Sequence, residues 1–322
     1  MRRMAVLILL GWILGCAAPW REKEADRLGL EKDYFKNIRP MVAGGRAIEA
    51  RQALAELPST LKTTATWYYL MGRVHMLEGD MKGAVEHLSK ARELAPGNPI
   101  VENDLAVALV KAGKAEQAVA LLDRLLAAHP EDQDLALNRA VARLAGGWTM
   151  EAAETLARMA RLFPEWFEAR FNYGLAALQN RDYPTAVVEL KAAARLRPGD
   201  KGVLLGLTAA CALNQDRACA EDSTREAVAR FPADPGILLN MGAWLEEQGQ
   251  FASAMEQYRQ AVHIAPDCAN CWYNIGRLAE RTGDVATALD AYQRHIAAAP
   301  PGMVTGEVQE RIRLLLQSQG TP

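Results

Sequence analysis

Between Ala65 and Asn98 the chain reads ATWYYLMGRVHMLEGDMKGAVEHLSKARELAPGN. Its apolar and small positions fall into two sets spaced by three and four residues: Tyr68, Met71, Gly72 and His75, then Ala84, Leu88, Ala91 and Leu94. Each set lines one face of a helix. Gly79-Asp80 interrupts the first helix and opens the second, and Pro96, which has no N–H to continue a helix, closes the segment. Gly72 and Ala84 carry so little side chain that the two helices can approach closely where these residues meet. The pattern predicts a helical hairpin.

The same layout returns every 34 residues. Prolines stand at Pro96, Pro130, Pro164, Pro198, Pro232, Pro266 and Pro300, and an alanine precedes each by 12 residues, from Ala84 to Ala288. With 15 prolines in 322 residues, seven in phase are beyond coincidence, so the chain is a tandem array. In register, repeats 1 to 7 begin at Ala65, Pro99, Gln133, Phe167, Lys201, Pro235 and Ala269. The small position of the first helix (helix A) runs Gly72, Ala106, Ala140, Gly174, Thr208, Gly242, Gly276, and the turn position Gly79, Gly113, Gly147, Arg181, Gln215, Gly249, Gly283. A degenerate unit over 31–64 keeps Gly45, Ala50 and Leu54 in phase but displaces its proline to Pro58. Residues 303–322 carry one more amphipathic helix, expected to cap the open end of the stack.

This pattern resembles the tetratricopeptide repeat, whose signature places Trp, Leu, Gly and Tyr in helix A, then Ala, an aromatic, Ala and Pro in helix B. Repeat 7 carries the likeness best, with Trp272, Ile275, Gly276, Gly283, Ala288, Tyr292 and Pro300. The resemblance implies an all-α fold, a right-handed α-solenoid of seven regular hairpins over 65–302 between the degenerate unit and the capping helix. It also implies a binding scaffold rather than an enzyme. In such a stack the second, fifth, sixth, ninth, twelfth and thirteenth places of each repeat point into a concave groove. The sixth place here holds Asn138, Asn172, Asn240 and Asn274, and the fifth holds Tyr69, Phe171 and Tyr273. An asparagine amide donates to and accepts from a peptide backbone at once, and aromatics hold apolar side chains. The expected partner is a protein or extended peptide, met by side chains that face solvent. Arg73, Arg277 and Arg281 stand ready for acidic groups at the two ends of the groove. The plainer alternative is that asparagine is frequent at this place without a ligand.

The first residues add a location. Met1-Arg2-Arg3 is followed by an apolar run of ten, Ala5 to Leu14, too short to span a bilayer, and then by Gly15-Cys16. Residues 1–15 read as a signal peptide. Ile13-Leu14-Gly15-Cys16 is similar to the bacterial lipobox, which implies acylation of Cys16, with 16–30 as a tether carrying Trp20 near the headgroups or against the first repeat. Two or three acyl chains hold a protein firmly on a membrane. By the same likeness, Ala17 after the cysteine favours the periplasmic face of the outer membrane. An uncleaved anchor or a chance cysteine is the competing reading.

Charge is nearly balanced, 37 basic against 39 acidic residues, with no basic stripe for nucleic acid. The four remaining cysteines form two local pairs. Cys211 and Cys219 bracket the turn of repeat 5, where two antiparallel helices can bring them together as a disulfide or leave them as reduced core residues. Cys268 and Cys271 form a CxxC before Trp272, readable as a disulfide, a redox pair or two small turn residues. The five histidines are scattered, with no HExxH, and neither a G-x-S-x-G elbow nor a phosphate-cradling glycine loop occurs. No cofactor, metal or small-molecule substrate is expected. The sequence thus reads as a membrane-anchored scaffold that recruits a protein, in the manner of lipoproteins serving pilus, secretion or polysaccharide-export machines. The alternative of a different class is a thiol oxidoreductase or redox sensor using Cys268 and Cys271.

Overall fold

The computed structural model describes Leu28, residues 33–299 and residues 305–319. Cys16, the leader, most of the tether and Pro300 to Val304 lie outside the described residues. Among the described residues the fold is all-α, built from helical hairpins, and no helix is long and apolar enough to cross a membrane. There are two compact units, one ending at Arg181 and one running from Asp182.

In the first unit, short helices Asp33–Lys36 and Ile38–Ala43 and the helix Ala47–Glu56 precede repeat 1. Pro40 explains the break at Asn37: lacking an N–H, it fits only the first turn of a helix, so the helix restarts just before it. Ala50 and Leu54 are fully buried. Repeats 1 to 3 follow as helix A and helix B pairs: Ala65–Glu78 with Met81–Leu94, Pro99–Lys111 with Ala115–Ala128, and Gln133–Ala145 with Thr149–Leu162. Helix A of repeat 4, Phe167–Gln179, ends the unit. The second unit holds helix B of repeat 4, Tyr183–Leu196, and then repeats 5 to 7: Lys201–Leu213 with Arg217–Arg230, Pro235–Glu247 with Phe251–Ile264, and Ala269–Thr282 with Val285–Ala298. The capping helix is Gly306–Gln319.

The sequence sets these boundaries through caps. After the turn residue, Asp80, Asp182, Asp216 and Asp284 each accept the N–H three residues on and so start a B helix. Two residues after the proline, Asn98, Asp132, Asp200 and Asp234 do the same for A helices. The turn position requires left-handed backbone: Gly79 has φ 80°, and even Arg181 and Gln215 adopt φ 63° and 60°. Inside repeat 1 the residue opposite Gly72 is Leu88; a Cβ on Gly72 would stand 2.6 Å from Leu88 Cγ. Gly276 bears the same relation to the Tyr292 ring. The close approach therefore depends on a glycine admitting a bulky residue, where Gly72 against Ala84 had been expected. Leu88, Leu122 and Leu156 at this place are at most 1% exposed, and each contributes about 1.5–3 kcal/mol by burial.

Candidate functional site

Successive A helices pack side by side within each unit, which brings their fifth, sixth, ninth and twelfth places onto one face. The polar groups expected there to face solvent are largely engaged with one another. Tyr69, at the fifth place of repeat 1, is 4% exposed and donates its hydroxyl to Asp104 Oδ2 at 2.8 Å. Arg73 donates to the same carboxylate at 3.2 Å and to the Tyr69 oxygen at 3.0 Å. Burial, and then the Asp104 charge, push the Tyr69 phenol above its ordinary value. One repeat on, the pairing recurs: Asn138 Nδ2 donates to Asn103 Oδ1 at 2.9 Å. Asn172 instead turns back on its own helix and donates to the Glu168 carbonyl at 2.7 Å. Asn138 and Asn172 are each 5% exposed. Phe171 is also buried, stacked on Phe167 with centroids 5.7 Å apart. The expectation that these side chains point into solvent is corrected for Tyr69, Asn138, Phe171 and Asn172. The residue one turn away on the same helix, or in an adjacent repeat, supplies the partner that an outside peptide was expected to supply. Asn240, Tyr273 and Asn274 are half-buried.

Asn138 keeps one unmet demand: its Oδ1 is buried and accepts no hydrogen bond among the described residues. It sits between Leu137 and Val141, both buried, on the A-helix face.

Arg277 and Arg281 likewise meet an acid of this chain. Arg277 grips Glu246 with both terminal nitrogens at 2.7 Å, Arg281 adds a contact at 3.3 Å, and Tyr258 donates to the same carboxylate at 3.3 Å. Glu246 is 4% exposed, so a charge that burial would penalise is held by two cations and a phenol. Thirty-four residues on, the cluster repeats: Tyr292 donates to Glu280 at 2.6 Å and Arg311 of the capping helix at 2.9 Å. Sequence reasoning missed Glu246, Glu280, Tyr258, Tyr292 and Arg311 as a set. The signal was the array's own period, applied to charged places as well as to small ones.

Both cysteine pairs are disulfides. Cys211–Cys219 joins helix A to helix B of repeat 5, and Cys268–Cys271 closes the first turn of the last A helix, with Cα separations of 5.6 and 5.3 Å. Cys268 caps that helix, its Sγ accepting from the Cys271 N–H at 3.2 Å, and Cys271 is fully buried. No group of three or more metal-ligating side chains occurs among the described residues.

Two models of the tetratricopeptide repeat match the chain, one over residues 75–144 and one over residues 143–201 and 239–302. The residues between, 202–238, hold repeat 5. No curated protein matches. Among solved structures, a chain of the APC/C hetero-tetramer Cut9-Hcn1 is 15% identical, with 94% of this chain and 67% of that one covered and a TM-score of 0.61. A tetratricopeptide repeat protein from Parabacteroides merdae ATCC 43184 is 17% identical, with 78% of this chain and 98% of that one covered and a TM-score of 0.62. At such identities the likeness speaks for the fold. Hairpins of one period, the paired small and bulky places, and the two matching models together place this chain in the tetratricopeptide repeat family.

Proposed function

We propose that the protein is a membrane-anchored scaffold that holds an extended segment of another protein against the A-helix face of repeats 2 to 4. The fold is that of a family of protein-binding scaffolds, typically without catalysis. The observation that carries the reading is the free, buried Oδ1 of Asn138 among aliphatic side chains. A buried acceptor left unpaired is costly, and a turn of the Asn138 side chain that opens its pair with Asn103 would offer this acceptor to a backbone N–H of the bound segment. Asn103→Ala and Asn138→Ala both break the Asn–Asn hydrogen bond, but only the second removes the free acceptor. Binding to proteins captured from envelope membranes should therefore weaken by about 0.5–1.5 kcal/mol more in the second variant than in the first. Equal affinities in the two variants would remove the support for this site.

The anchoring half of the proposal rests on the apolar run ending at Ile13-Leu14-Gly15-Cys16. Acylation there would hold the array at the periplasmic face of an outer membrane, in reach of an envelope machine such as a pilus, secretion or polysaccharide-export assembly.

A further inference from the structure

Repeat 5 is held together by different means from its neighbours. In the other six repeats the eighth place is Gly or Ala and the twenty-fourth is Leu or Tyr. Here they are Thr208 and Thr224, both buried. One hydroxyl pair crosses between the two helices, Thr208 donating to Ser223 at 3.2 Å, while Ser223 and Thr224 turn back on helix B and donate to the Cys219 and Ala220 carbonyls at 2.8 and 2.6 Å. Water replaces such bonds when the layer opens, so they add little net cohesion, and the apolar burial that a Leu or Tyr supplies elsewhere is missing. The turn adds no support, because Gln215 holds a left-handed φ of 60° that five other repeats give to glycine. Across that turn lies the Cys211–Cys219 bridge, spanning eight positions from a fully buried cysteine to a half-buried one.

We propose that this bridge is a redox-controlled latch: closed, it keeps repeat 5 folded; opened by a dithiol reductant, it lets repeat 5 unfold locally while its neighbours stay folded. A thiolate of the reductant attacks the more accessible Cys219 sulfur and forms a mixed disulfide, and Cys211 leaves as a thiolate that takes up a proton. The second thiol of the reductant then attacks the mixed disulfide, releasing Cys219 as a thiol and carrying away the two electrons' worth of oxidation as its own disulfide. Opening restores to the unfolded hairpin the loop entropy that the bridge had removed. In the array this affects one repeat first, since each hairpin leans mainly on its neighbours.

Hydrogen exchange of the full chain, with and without a dithiol reductant, tests the latch. Reduction should speed exchange over residues 201–230 by roughly tenfold to a hundredfold, and repeats 1 to 3 should be unchanged. Cys211→Ala with Cys219→Ala should reproduce the effect without reductant, and Cys268→Ala with Cys271→Ala should leave residues 201–230 as in the oxidised wild type. A third variant guards against a merely unfolded double mutant. Thr208→Ala with Thr224→Leu installs the pattern of repeats 2 and 3 and should keep residues 201–230 protected even when reduced. Unchanged exchange over residues 201–230 on reduction, acceleration spread evenly over all repeats, or free thiols at Cys211 and Cys219 in protein made under oxidising conditions would each overturn the proposal.

Discussion

The charged residues of this protein work inward. Glu246 is buried while the side chains of Arg277 and Arg281 remain 34% and 55% exposed. Removing one partner of a buried pair strands the other, at about 3–5 kcal/mol when both are enclosed, and the open arginines reduce this. Glu246→Gln should accordingly lower stability by about 1–3 kcal/mol in urea unfolding. Burial and then the adjacent carboxylates raise the phenols of Tyr258 and Tyr292, as burial and Asp104 raise that of Tyr69. A group with a raised folded pKa contributes stability below its unfolded value and loses it as pH climbs toward the folded one. Stability should therefore fall above pH about 10. In an alkaline absorbance titration these three phenols should ionise together with unfolding. The linear pattern of residues exposed these charges without revealing their partners. Arg277 reads equally well as a hand held out to a ligand, until Glu246 is seen one repeat earlier in space.

Helices and their ends were far more legible. Caps, turn residues and prolines act within a few positions, so the sequence displays them directly. What it could not display is which residue meets which across the hairpin: Gly72 opposes Leu88 because helix B crosses one turn later than the position of Ala84 suggests. Gly276→Ala tests this packing, since the new methyl would stand 2.6 Å from the ring of Tyr292, itself fully buried. The substitution should cost about 1–3 kcal/mol, with hydrogen exchange rising in repeat 7 and the capping helix but not in repeats 1 to 3. The preference of alanine over glycine within a helix offsets part of that loss.

At the scale of the whole molecule the array is closed at its C-terminal side by chemistry as well as by packing. The capping helix takes the place of an eighth helix A, since Arg311 engages Glu280 as Arg277 engages Glu246. At the place where helix A elsewhere has a small residue it carries Glu310, exposed and paired with Arg313. A helix packed against this place as helix B packs elsewhere would have to bury that pair. The proposed attachment to a membrane belongs to the same scale. Cys16→Ser should abolish metabolic fatty-acid labelling and release the protein from the membrane fraction; an unlabelled wild type would refute the anchor. The recurrence of the Glu–Tyr–Arg cluster at the array's own spacing has a consequence for how such a gene can change. Excising residues 249–282 removes one whole period and joins helix A of repeat 6 to helix B of repeat 7, so that Glu246 inherits Tyr292 and Arg311. Recombination in whole periods would thus shorten or lengthen the protein without orphaning a buried charge, whereas a deletion out of phase would strand Glu246 with no cation and be lost to misfolding.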